Sequence, residues 1–214
     1  MIKGVLFDMD GVLVDSEEFI CKEAIMMFRE YEINAVPEDF IPFVGMGENS
    51  YLGGVAAKYG LKADLSIIKA RTYENYEQIA RGNLFLLPGA KELLDKCIRK
   101  GLQIALATSA DRVKMEINLK ETGIPLNLFH ATVNGLDVER KKPFPDIYLK
   151  ASELISLKPE ECLVVEDAVS GIKAGKAAGC RCLAVTTSFI GDAFHEADWV
   201  CRTLSEAPDE ALNW

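Results

Sequence analysis

The chain's pattern predicts an α/β fold: a doubly wound parallel sheet with a small all-helical domain inserted after the first strand. Three observations carry this prediction. Short apolar runs recur with helical patterns between them, as expected of parallel strands covered on both faces. The stretch between the first and second runs exceeds one crossover helix and reads as mostly helical. Acids, hydroxyls and a lysine follow the runs, at the rim where open parallel sheets bind ligands.

The first strand is expected over Val5–Phe7 and leads into Asp8-Met9-Asp10-Gly11. Side chains two apart on a strand share a face, so a strand persisting through Asp10 would aim both carboxylates one way. Neighbouring carboxylates repel, which raises the pKa of one unless a cation intervenes. Asp15, ahead of Ser16-Glu17-Glu18, reads as a helix N-cap with an acid at the third helical position. Helical spacing of apolar residues covers Glu17–Tyr31, Gly54–Tyr59 and Leu65–Ala80. Leu87-Pro88-Gly89 then returns the chain to the sheet, with Pro88 near the start of the next helix. Residues 15–87 are thus the expected helical insertion, a cap on the sheet, and residues 1–14 and 88–214 the expected core domain. In that core, strands at Gln103–Ala107, Ala131–Val133, Cys162–Val165 and Cys182–Val185 alternate with helices. The helices are expected at Ala90–Arg99, Arg112–Thr122, Pro145–Ile155, Val169–Ala178 and Phe194–Ala197.

With 214 residues, 49% of them hydrophobic, the chain can bury a sizeable core plus a small accessory domain. A net charge of -9 argues against a broad nucleic-acid surface. An anionic substrate would need a metal or a local lysine to overcome that field. No apolar stretch approaches the ~20 residues of a membrane span, and Phe7-Asp8 interrupts any signal-peptide core. The six cysteines form no C-x-x-C pair. Cys180 and Cys182 read as small buried hydrophobes, and the pattern suits a reducing cytoplasm.

The strand ends converge on one chemistry. Asp8 and Asp10 follow the first strand, Thr108-Ser109-Ala110-Asp111 the second, Arg140-Lys141-Lys142-Pro143 the third and Glu166-Asp167 the fourth. A hard divalent cation such as Mg²⁺ prefers carboxylate, carbonyl and water oxygens. A lysine, a hydroxyl and backbone N–H groups suit the oxygens of a phosphate. A carboxylate beside the metal could attack phosphorus, and a second could protonate the leaving oxygen and then activate water.

These motifs resemble the haloacid dehalogenase (HAD) superfamily, and more narrowly its β-phosphoglucomutase-like phosphatases. They stand here as Phe7-Asp8-Met9-Asp10-Gly11, Thr108-Ser109, Lys142-Pro143 and Val165-Glu166-Asp167. Val165 through Gly175 is especially similar to the subfamily pattern. The resemblance implies a Rossmann-like core and an Mg²⁺ cofactor. Asp8 would be nucleophile and metal ligand. Asp10 would be general acid/base and ligate metal through its backbone carbonyl. Thr108 would bind the phosphoryl group, aided by the Ser109 backbone. Lys142 would steady the charge on nucleophile and phosphate. Asp167 would ligate the metal, with Glu166 ligating directly or through water. Residues Gly11–Asp15 would be the hinge of a cap that closes over substrate and excludes water.

Asp10 favours phosphoryl transfer over dehalogenation, since a departing halide needs no proton. The family's sugar-phosphate mutases carry a His in the first cap helix and a Lys and an Arg in a cap loop. Ile20, Val44 and Glu48 stand at those positions here. Replacing Arg by Glu removes a charge-assisted contact to a second phosphate and adds repulsion, which inclines the reading from mutase toward hydrolysis. Residues Gly45–Gly54 also resemble the corresponding part of haloacid-dehalogenase domains in plant chloroplast proteins. Glu48, Asn49 and Arg112 are the candidate substrate contacts at the cap loop and rim. Lys141, His130 and His195 read as surface or structural residues. A phospho-accepting receiver domain is the non-enzymatic rival, disfavoured by the insertion after Asp10. The expected partner is a small phosphorylated metabolite, with no nucleic acid or membrane, and the protein is expected to be a cytoplasmic monomer.

Overall fold

The structure, a computed structural model, describes residues 1–214, the Glu17 side chain excepted. Among the described residues six strands form one all-parallel sheet: β1 (Gly4–Phe7), β2 (Gln103–Ala107), β3 (Ala131–Val133), β4 (Cys162–Glu166), β5 (Arg181–Val185) and β6 (Trp199–Cys201). Their order is β3-β2-β1-β4-β5-β6. The order reverses at β1, which pairs with β2 on one side and β4 on the other. That reversal opens a crevice beyond the strands' carboxyl ends.

Seven α-helices accompany the sheet: α1 (Glu17–Glu30), α2 (Glu48–Lys58), α3 (Leu65–Ala80), α4 (Ala90–Arg99), α5 (Arg112–Thr122), α6 (Asp146–Leu154) and α7 (Val169–Ala178) among the described residues. Alternation along the strands sorts their side chains into two cores. Val5, Phe7, Ile104, Leu106, Leu163 and Val165 face a cluster with α4 and α5 residues such as Leu93, Leu94 and Met115. Leu6, Ala105, Ala107, Val164 and Cys182 face Ile147, Tyr148, Ala151 and Ile172 of α6 and α7. The sheet is therefore doubly wound, as the apolar runs predict.

Helices α1–α3 lie in sequence between β1 and α4. They pack around an apolar cluster of their own that includes Ala24, Met27, Phe28, Phe40, Leu52, Val55 and Ile68. The segments entering and leaving this insertion pair with each other. Asp15 N–H donates to the Phe85 carbonyl and Leu87 N–H to the Leu13 carbonyl, each at 3.0 Å.

Several sequence expectations need correction. The first strand stops at Phe7, and Asp10 lies in a tight turn closed by Leu13 and Val14 N–H on the Met9 carbonyl. The two-residue strand period therefore does not orient Asp8 and Asp10. Ser16, not Asp15, precedes the first turn of α1; it makes no side-chain cap, and its hydroxyl donates to Asp10. Helix α2 begins six residues ahead of the expected start, since the Gly53-Gly54 pair lowers helix propensity and masks its first turns. Phe194–Ala197 is no helix; a short 3₁₀ turn at Gly191–Phe194 precedes β6. That strand escapes prediction because three residues cannot display a two-residue period. No disulfide joins the six cysteines among the described residues, and five of the six are buried. Burial pushes the Cys97, Cys162 and Cys182 thiols up to about 12, as suits small hydrophobes. No helix among the described residues is long and apolar enough to cross a membrane.

Candidate active site

Each strand that meets the crevice delivers its polar residue at the point where pairing ends. Asp8 leaves β1 with its N–H still donating to Val165 O at 3.0 Å, and Thr108 leaves β2 with its N–H on Val133 O at 3.0 Å. Glu166 is the last residue of β4, and Asp167 follows it. Lys142 comes from the loop before α6, where the Lys142-Pro143 bond is cis.

Asp8, Glu166 and Asp167 are buried, with one carboxylate oxygen from each lying within 4.8 Å of the others. Lys142 reaches into this cluster, its Nζ 2.7 Å from Asp8 Oδ1 and bound also to Glu166 Oε1. The Tyr148 hydroxyl donates to the same Glu166 oxygen at 2.7 Å. Glu166 Oε2 accepts the N–H groups of Asp167 and Ala168, both at 3.0 Å. Glu166 is thus fixed by four donors, and Asp167 accepts the Ser188 hydroxyl. Two glycines make this crowding feasible. A Cβ on Gly171 would overlap the Glu166 carboxylate, and one on Gly11, whose φ is +71°, would overlap that of Asp167.

The electrostatics follow from the burial. Loss of hydration pushes the Asp8 carboxyl up to about 8, against the pull of Lys142 and with a further push from Glu166. Burial alone would lower the Lys142 ammonium; Asp8 and Glu166 outweigh it and hold the lysine above its ordinary value. One ammonium set against three carboxylates leaves the cluster short of positive charge. Its donors are hard oxygens, which fit a divalent cation of the Mg²⁺ type.

Thr108 and Ser109 stand beside Asp8 in the wall of the same cavity. Thr108 Oγ1 accepts the Ala110 N–H at 3.0 Å, which leaves its own proton available. The Ser109 hydroxyl is buried with no hydrogen-bond partner, although serine offers both a donor and acceptors. The sequence reading gave Ser109 only a backbone role, yet its hydroxyl is the orphaned group.

Asp10 lines the same cavity but belongs to a different network. Its Oδ2 lies 2.7 Å from Lys114 Nζ, and its Oδ1 accepts from Asn118 Nδ2 at 2.9 Å and from the Ser16 hydroxyl. Lys114 and Asn118 were not singled out from the sequence. The one available signal was their four-residue spacing, which puts them on one face of α5. Asn118 accepts in turn from the Tyr76 hydroxyl of α3 at 2.6 Å.

The insertion supplies Ile20, Phe43, Gly45, Gly47, Glu48 and Tyr51 to the cavity wall. Glu48 Oε2 accepts the Asp111 N–H at 3.2 Å, and its Oε1 lies 3.8 Å from Lys114 Nζ. Burial pushes Glu48 up to about 7, opposed by Lys114. Asn49 and Arg112 are not brought to the cavity wall. Asn49 accepts from Lys69 at 2.9 Å, and Arg112 is exposed and paired with Glu116 at 2.7 Å. Lys141 ties down the Gly135 and Val138 carbonyls, and His130 Nδ1 accepts the Ile104 N–H at 3.1 Å.

A doubly wound sheet with this rim belongs to a recognised class of enzyme. The model of the haloacid dehalogenase-like hydrolases matches residues 5–185, and the chain belongs to that family. Among its relatives, the chloroplast protein SUPPRESSOR OF QUENCHING 1 of Arabidopsis thaliana is 42% identical over 87% of this chain, but the chain spans only 18% of that protein. Hexitol phosphatase A of Escherichia coli is 32% identical, covering 95% of this chain and 92% of the relative. CbbY from Rhodobacter sphaeroides, solved in complex with phosphate, superposes with a TM-score of 0.87 at 24% identity, covering 100% of each chain, a likeness of fold.

Proposed function

We propose that the protein is an Mg²⁺-dependent phosphatase that hydrolyses a small phosphate monoester through an aspartyl-phosphate on Asp8. The observation that carries this reading is the arrangement around Asp8. A buried carboxylate is held by Lys142 within an oxygen cluster and shares its cavity with Thr108, with Ser109, whose buried hydroxyl has no partner, and with a second, separately bound carboxylate, Asp10. Relatives named for phosphatase activity, such as hexitol phosphatase A, support the same class.

Asp8 and Asp167, with the Asp10 backbone carbonyl, would hold the cation. Glu166, whose four hydrogen bonds occupy both oxygens, would act through water and by fixing Lys142. When bound, the cation supplies charge that keeps Asp8 ionised and neutralises phosphate oxygens. Thr108 and Ser109 donate to the phosphoryl oxygens. An Asp8 oxygen attacks phosphorus while the ester P–O bond breaks, and the leaving oxygen takes a proton from Asp10. Asp10 then takes a proton from water. The resulting hydroxide attacks phosphorus, the Asp8–phosphorus bond breaks, and inorganic phosphate leaves. Lys114, Asn118 and Ser16 orient Asp10 throughout. Residues 15–87 act as the cap that encloses this exchange, with Gly11–Asp15 as its hinge.

Hydrolysis is preferred to mutase activity because Ile20 and Glu48 line the cavity where a mutase would place a histidine and a cation. The test is phosphate release from a panel of phosphorylated metabolites with Mg²⁺, by wild type and by Asp8→Asn. Wild type should turn over at least one ester, and Asp8→Asn should lose at least about 10³-fold of that rate. Equal rates would remove Asp8 as nucleophile. Faster isomerisation of β-glucose 1-phosphate than hydrolysis of any ester would establish the mutase instead.

A further inference from the structure

The cavity has an unusual balance of charge away from Asp8. Lys114 is the one cation in its wall among the described residues. That ammonium is already shared, 2.7 Å from Asp10 Oδ2 and 3.8 Å from Glu48 Oε1. The other nearby cations are also committed. Lys142 is bound to Asp8 and Glu166, Lys69 to Asp111 and Asn49, and Arg112 to Glu116. Glu48 itself is buried at the first turn of α2, held by the Asp111 N–H. A substrate whose phosphate sits at Asp8 and Thr108 must lay its remainder along this wall. A second anionic group there would find no uncommitted cation and would face Glu48. At an effective dielectric of ~20, a like charge about 5 Å away disfavours binding on the order of a hundredfold, and Lys114 offsets part of this. Hydroxyl groups face no such penalty, because Glu48 accepts and Lys114 donates.

We propose that Glu48 and Lys114 form a charge filter that admits phosphate monoesters with an uncharged, hydroxylated remainder and rejects those carrying a second anionic group. This rests on the phosphatase reading and narrows its substrate class. The test compares glycerol 1-phosphate with phosphoglycolate, which adds a carboxylate to the remainder, at pH 8 with Mg²⁺. The measured quantity is the ratio of their kcat/KM values in wild type, Glu48→Gln and Lys114→Gln. Wild type should prefer glycerol 1-phosphate by about tenfold or more. Glu48→Gln should lower that ratio at least about threefold, and Lys114→Gln should raise it. Effects on Asp10 or on folding act on both esters and cancel in the ratio. Equal use of the two esters by wild type, or variants that leave the ratio unmoved or shift it in one direction, would overturn the filter. If neither ester is turned over, calorimetric titration of Asp8→Asn with both ligands and Mg²⁺ decides. Tighter binding of glycerol 1-phosphate supports the filter; equal binding or none overturns it. Failure of the phosphatase reading is separate: no ester in the wider panel would be hydrolysed, or Asp8→Asn would match wild type.

Discussion

Lys142 bridges two buried carboxylates, and its removal would leave both without an ammonium. Breaking a buried ion pair from one side typically costs about 3–5 kcal/mol. Lys142→Met is therefore expected to lose about that much stability in urea unfolding at pH 8 without metal. Saturating Mg²⁺ should restore part of the loss, because the cation replaces positive charge at the same oxygens. A urea midpoint unchanged by the substitution would contradict the charge balance described for the site. The residues at this scale were unevenly legible in the sequence. Asp8, Thr108, Lys142, Glu166 and Asp167 stand out because each ends or follows a strand, where topology fixes its destination. Lys114 and Asn118 do not, because a lysine and an asparagine one helical turn apart are common on any solvated helix face. Only the packing of α5 beneath the insertion buries Lys114 and turns it toward Asp10.

Among the elements, α1 carries a costly buried acid. Glu23 is fully buried, and neither carboxylate oxygen has a hydrogen-bond partner. Burial raises its pKa from 4.5 to about 7, with Arg71 pulling it down and Glu30 adding to the rise. A carboxyl raised in the folded state binds its proton more tightly there than in the unfolded chain. Its contribution to stability is fully present below pH 4.5 and is lost as pH rises through about 7. Glu23→Gln should leave stability nearly unchanged at pH 4.5 and gain about 1–3 kcal/mol at pH 8. Paired thermal melts at the two pH values check this, and an equal effect at both would refute it. The elements themselves were largely readable. The helices over Leu65–Ala80, Ala90–Arg99, Arg112–Thr122 and Val169–Ala178 match their expected bounds, since long periodic segments declare themselves. The start of α2 and the whole of β6 did not, one masked by glycines and the other too short for periodicity.

Across the whole molecule, the insertion meets the sheet domain mainly at the first turns of α5. Lys69 of α3 pairs with Asp111, Glu48 of α2 accepts the Asp111 N–H, and Tyr76 of α3 donates to Asn118. The Lys69–Asp111 pair is partly buried, with side-chain exposures of 15% and 13%. If the insertion closes over substrate as proposed, removing the pair should weaken that closure by about 1 kcal/mol. Lys69→Met is accordingly expected to raise KM about fivefold with kcat little changed, in steady-state assays of phosphate release. A fall in kcat at constant KM would assign the pair to chemistry instead.

The hydroxyl of Tyr76 has a consequence of its own. It belongs to α3, yet it grips the amide that grips Asp10. Lifting the insertion away would withdraw that grip, so the proposed proton donor would be fully braced only with the roof down. Shelter and proton delivery would then arrive as one event. A phosphoryl group on Asp8 would meet an activated water only inside the closed chamber, and an idle, open enzyme would waste little of it.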